Sequence, residues 1–169
     1  MQTTSVNLYT WGYGEKKTYL AAALFVVGNI VLPQMCHLVP QGGMLLLPIY
    51  FFTLIGAYKY GWKVGLLTAV FSPLANSALF GMPMPMALPA ILLKSVLLAL
   101  AAGFMARRYN NVSIPLLLAT VLAYQVLGTL GEWAMKGDIY LAMQDFQIGI
   151  PGMMLQILGG YAVIRYLIR

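Results

Sequence analysis

Charge is scarce in this chain. Only 8% of its 169 residues are Asp, Glu, Lys or Arg, and only four are acidic. Soluble domains carry about 25%, so this chain cannot cover a water-facing surface with charge. Cysteine is scarcer still. Cys36 stands alone, which excludes an internal disulfide and removes cysteine as a guide to compartment. His37 is the one histidine, and Cys36 with His37 offers too few ligands for a metal site. G-x-S-x-G, H-E-x-x-H and Walker A sequences are all missing. Nothing in the chain therefore announces a serine nucleophile, a zinc protease or ATP hydrolysis. Period-two alternation is also missing, which disfavours a barrel. The net charge is +6, but the basic residues sit at the ends of apolar runs rather than in one patch, so no nucleic-acid partner is expected.

What is present is apolar. At 61% hydrophobic, the chain reads as an all-α integral membrane protein. A single domain over residues 1–169 has room for six transmembrane helices of about 20 residues. A short tail, 1–17, precedes them. The spans are expected at about Thr18–Met35, Met44–Tyr58, Gly61–Phe80, Leu88–Ala106, Ser113–Trp133 and Ile150–Leu167. Pro48, Pro89 and Pro151 fall in first turns, where proline is tolerated. Lys16-Lys17 before an apolar run resembles the start of a signal peptide, but the run shows no convincing small-x-small cleavage site.

Lysine and arginine set the orientation. Lys16, Lys17, Lys59, Lys63, Arg107, Arg108, Arg165 and Arg169 fall on one side, and Lys136 on the other with Glu132, Asp138 and Asp145. Both termini are therefore expected in the cytoplasm. The outer connections are then His37–Gly43, Gly81–Ala87 and Ala134–Gly149, and Lys59-Tyr60 and Tyr109–Val112 are the inner turns.

The stretch Ser72–Lys94 organises the rest. One apolar helix ends at Phe80-Gly81, Met82-Pro83-Met84-Pro85 turns the chain, and a second helix carries Lys94 inside it. At ~1.5 Å of rise per residue, Lys94, Gln156 and Asn29 each lie about 9 Å below the outer ends of their spans, Gln125 about 12 Å and Asn76 about 6 Å. Polar groups in hydrocarbon need partners, and five of them from five spans share this outer slab. They can partner one another, water or a small solute. Each also has a purely structural role open to it. Lys94 can snorkel to the outer headgroups. Asn29, Asn76, Gln125 and Gln156 can bond helix to helix. Glu132 and Trp133 stand at the outer mouth, where Trp133 also suits an interfacial aromatic belt. Tyr124 fits core or pocket wall. The eleven methionines suit adaptable packing, and Gly61–Gly65 is a common membrane-helix spacing.

Pro33-Gln34-Met35-Cys36-His37, Gly42-Gly43, Leu47-Pro48, Ser72-Pro73 and Phe80-Gly81-Met82-Pro83 together resemble the substrate-binding S component of an energy-coupling factor (ECF) transporter. The resemblance covers roughly Leu20–Arg108, and the rest by topology. It implies a multi-pass protein of a prokaryotic cell membrane that captures a vitamin or related micronutrient from outside. It implies docking on a transmembrane coupling subunit bound to two cytoplasmic ATPases, and a whole-subunit toppling that carries the pocket inward. It also implies a gate at Gln34–Gly43 and an entrance lined by Gly81–Pro85. Docking in that family often uses Ala-x-x-x-Ala in the first span. Here Ala21, Ala22 and Ala23 are followed four positions on by Phe25, Val26 and Val27, leaving those three alanines as the expected small-residue face.

The expected ligand is a small anionic or zwitterionic organic molecule. Lys94 would pair with its carboxylate or phosphate, Asn76, Gln125 and Gln156 would orient it, and His37 and Gln34 would close over it. Asn29, Glu132 and Trp133 complete the candidate set. No cofactor is expected, and no catalysis. Two alternatives stand beside this: an intramembrane enzyme acting on a lipid or isoprenoid through Lys94, His37 and Glu132, and a packing subunit without a ligand.

Overall fold

A computed structural model describes residues 6–168, apart from the side chain of Asp145. Arg169, counted above on the basic side, and the first five residues of the tail lie outside the described residues. The described chain is helical, with no strand in it. Four helices are long and apolar enough to cross a membrane: α1 (Lys16–Cys36), α4 (Trp62–Phe80), α5 (Leu88–Tyr109) and α6 (Ile114–Lys136). They match the first, third, fourth and fifth expected spans closely. A fifth span is reached if the helical run Ile150–Leu167 is joined to α7 (Ile139–Ile148), from which it bends by 53°. These apolar helices mark a multi-pass membrane protein, and their outward faces are apolar too. Leu20, Leu24, Val27, Val31 and Met35 form an exposed stripe along α1.

Glycine, asparagine and proline set the helix limits. Gly81 and Gly137 end α4 and α6 in the left-handed region, at φ 67° and 71°, and Asn110 ends α5 at φ 46°. These residue types reach that region most easily. Pro89 and Pro115 lie in the first turns of α5 and α6, where a missing N–H costs nothing.

Three expectations need correcting. The second span is not one helix from Met44. The chain forms α2 (Gly42–Leu46), breaks at Leu47 (φ 45°, ψ 47°), makes a 3₁₀ turn at Pro48–Tyr50 and continues as α3 (Phe51–Tyr60). Pro48 lacks an N–H and crowds the residue before it out of the helical region. The break is also held by packing: a Cβ on Gly152 would come within 2.5 Å of the Leu46 backbone, so α2 lies directly on α8 (Ile150–Met154). Second, the outer connection expected at Ala134–Gly149 is largely helical, with α6 running on to Lys136. It contains α7, whose first turn is capped by Asp138 Oδ1, accepting from Tyr140 N at 2.8 Å and Leu141 N at 3.3 Å. Third, the last helical run is not uniform. Leu155–Gly159 and Val163–Leu167 are wound as π-helix around α9 (Gly160–Ala162).

The described part of the tail is ordered against the basic end of the bundle. Tyr9 N and Trp11 N donate to the backbone carbonyls of Lys59 and Tyr60, at 2.8 and 3.2 Å. Gly61 (φ 102°) passes close under Thr10, where a Cβ would meet the Thr10 Cα at 3.2 Å. Trp11 lies 4.5 Å from Tyr60, centroid to centroid. Lys59 Nζ, wholly buried, sits 5.5 Å from the Tyr9 ring. Lys59 was expected in a turn at the membrane surface. It belongs to α3, and the tail covers it.

Candidate functional site

At the end of the bundle opposite those lysines and arginines, a cavity of about 500 Å³ opens beneath the α1–α3 connection. Its walls are Pro33 and His37 at the end of α1, the segment Val39–Tyr50 with Leu45 and Leu46 left out, Asn76 of α4, Met82-Pro83 of the turn and Ile91 of α5. The break at Leu47 creates this space. Leu47 and Pro48 line it, and α2 folds aside onto α8. His37 is exposed at the rim, and Tyr50 is buried in the wall.

Asn76 is 1% exposed. Its Nδ2 donates to Asn29 O and Ser72 O, both at 2.9 Å. Its Oδ1 is buried without a hydrogen-bond partner.

Behind the cavity are two polar junctions. The first joins α1, α3 and α4 at Asn29. Asn29 Nδ2 donates to Thr53 Oγ1 (3.1 Å) and Ser72 Oγ (3.2 Å), and its Oδ1 accepts from Phe52 N (3.2 Å). Asn29 is thereby saturated as a bond between helices and does not line the cavity.

The second junction joins α5 and α6. Lys94 Nζ lies 2.5 Å from Glu132 Oε2, and Lys136 Nζ 2.5 Å from Glu132 Oε1. Lys94 is 1% and Glu132 5% exposed. The lysine stem crosses α6 at Gly128, where a Cβ would come 2.5 Å from Lys94 Cγ. Lys94 therefore neither snorkels to the headgroups nor lines the cavity. The carboxylate it was expected to await from a ligand is supplied by Glu132. Glu132 in turn is not an open group at the mouth but a buried one clasped by two ammonium groups.

Ser95 Oγ of α5, Thr129 Oγ1 and both amide atoms of Gln125 of α6, and Gln156 Nε2 of the last helical run are also buried with no hydrogen-bond partner among the described residues. Gln156 Oε1 accepts from Tyr124 OH at 3.0 Å, and the Tyr124 ring lies 5.5 Å from that of Tyr50. Gln156 thus reaches the cavity wall only through two tyrosines. It sits in π-helix, a winding that recurs at functional sites.

Of the remaining candidates, Gln34 is half-buried on the last turn of α1 and outside the cavity lining, and Trp133 is 46% exposed. Ala21, Ala22 and Ala23 do not share a face: Ala22 is in the core, Ala21 half-buried and Ala23 exposed. Consecutive helical residues point about 100° apart, so three in a row cannot form one docking strip. The structure thus places His37 and Asn76 at the cavity and adds Gln41, which fell within the expected gate, Leu47, which was noted only beside Pro48, and Tyr50 and Ile91, which were not singled out. Gly42-Gly43 and Pro48 were the available signal for Gln41 and Leu47, being breakers inside an apolar run. Tyr50 and Ile91 carry no such mark. Among the described residues, no group of three or more His, Cys, Asp or Glu is placed to hold a metal.

No family model, curated protein or solved structure matches the chain.

Proposed function

We propose that this protein is the substrate-capture subunit of an ECF-type importer. In this role it is a six-span bundle with both termini in the cytoplasm, α3 with its preceding turn and the Ile150–Leu167 run serving as the two shorter spans. It binds a vitamin-like molecule in its outer half and relies on a coupling subunit and two ATPases for energy. The observation that carries this is the cavity of about 500 Å³. It lies beneath the segment that the sequence resemblance marks as a gate, and Met82-Pro83 of the expected entrance forms part of its wall. A volume of this size suits a small organic molecule. The rim residue His37 and the wall residue Asn76 come from the candidate set, and the apolar remainder favours a partly apolar ligand.

An intramembrane enzyme is the weaker alternative. It needs Lys94, Glu132 and His37 around one substrate, yet Lys94 and Glu132 neutralise each other away from the cavity lining.

The test is affinity purification of the full chain from its native membrane in mild detergent, followed by protein and small-molecule mass spectrometry. Capture predicts two ATPase subunits and a membrane partner in the eluate, and a stoichiometric small molecule on the isolated subunit. Neither appearing would reject it. Turnover of added lipid or isoprenoid would favour the enzyme.

A further inference from the structure

The orientation of Asn76 determines what kind of molecule the cavity can hold. Both groups facing its Nδ2 are backbone carbonyls, those of Asn29 and Ser72. A carbonyl only accepts, so the NH₂ end must face them and Oδ1 must face the other way. Oδ1 is left as a buried acceptor without a partner, on a residue that lines the cavity. A polar atom so placed costs free energy until a donor reaches it. The rest of the lining is prolines, glycines, aliphatic side chains, Tyr50, and the exposed Gln41 and His37. No Lys, Arg, Asp or Glu is among the lining residues. The cation expected there from the sequence, Lys94, is not in the lining and lies against Glu132. An ionised carboxylate or phosphate buried there, away from the exposed rim residue His37, would meet no lysine or arginine of the lining, and an uncompensated buried ion is a costly group for a membrane protein to hold.

We propose that the cavity takes an uncharged organic molecule that presents an N–H or O–H donor to Asn76 Oδ1, and that carboxylates and phosphates are kept out of it. This replaces the anionic or zwitterionic ligand expected from the position of Lys94 in the sequence. It rests on the capture function and specifies its ligand class.

The experiment uses the full chain in detergent, washed free of bound molecules and incubated with the filtrate of yeast extract below about 1 kDa, a size that spans the vitamins the cavity can accept. Retained compounds are identified by mass spectrometry. The expected result is one compound at near-equimolar amount, uncharged where it is buried and bearing an N–H or O–H. Its congener methylated at that position should bind at least about ten-fold more weakly, the loss of one good hydrogen bond. Asn76→Leu should lose retention as well. Because that substitution also cuts the bonds to Asn29 and Ser72, the methylated congener on the unaltered protein is the deciding measurement. Equal binding of the congener, or retention of a molecule through its carboxylate or phosphate, overturns the proposal and leaves capture standing. If the unaltered protein retains nothing from the filtrate, capture itself fails, and this ligand class with it.

Discussion

The two polar junctions of this bundle are built from similar residues and end in opposite conditions. At Asn29 of α1 both side-chain polar groups have partners, on α3 and α4. At Lys94 the charges are matched, but buried amide and hydroxyl groups of the same two helices are not. In lipid each unmatched group costs free energy with no water nearby to offset it. The contrast separates polar groups that bond helix to helix from polar groups that do not. A saturated amide between helices explains itself by the stability it adds. Unmatched ones add no such stability, and each stands as a cost of burial in the bundle.

The sharpest way to break this comparison is at Glu132. Glu132→Ala leaves Lys94 buried without its counter-charge, and should cost about 3–5 kcal/mol. Lys94→Met should cost much less, because Glu132 keeps Lys136. Equilibrium unfolding in mixed micelles measures both, and equal losses would mean that the pair does not carry the charge balance described. The next largest effect is the amide contrast. Asn29→Leu should cost about 2 kcal/mol through its severed bonds. Gln125→Leu should cost little or even stabilise, since its amide satisfies nothing in the protein. A loss at Gln125 as large as at Asn29 would erase the distinction between bonded and unbonded groups. Close packing gives a smaller pair. Gly152→Ala drives a methyl group into the Leu46 backbone and should cost about 1–2 kcal/mol. Gly128→Ala meets a side chain rather than backbone, but it is the near end of the pinned Lys94 stem, and it should cost a comparable amount, as a thermal-shift comparison of the two variants would register. Smallest of all, Trp133→Ala should leave stability within about 0.5 kcal/mol, because that indole is 46% exposed. A large shift in the same melting assay would reveal packing at Trp133 beyond what its exposure implies.

The four long spans were legible because hydropathy over about 20 residues is a local property, and the end at Phe80 was legible in Gly81, whereas the stops at Asn110 and Gly137 went unread and those two spans were ended three residues early, at Ala106 and Trp133. The break at Leu47 was half legible. Pro48 was visible, but its effect was read as a tolerated first turn, and the close approach of α8 at Gly152 that holds the break open comes from a residue about a hundred positions away. The polar layer shows the same limit. Depth along each helix follows from counting residues, so Asn29, Asn76, Lys94, Gln125 and Gln156 could be assigned to one slab. Depth does not say which way a side chain points around the helix, nor what meets it there.

Composition and the order of residues thus determined by themselves that this is a helical, multi-pass membrane protein, where its long apolar helices lie, and which polar residues lie within them. Only the tertiary structure decided that Asn29 is spent on Thr53, Ser72 and Phe52, that Lys94 is spent on Glu132, and that Asn76 lines the cavity with its Oδ1 unpartnered. The reason is physical. Burial in an apolar phase depends on the chain's own chemistry, whereas the partner of a buried polar group is whichever residue the packing of distant helices brings within about 3 Å.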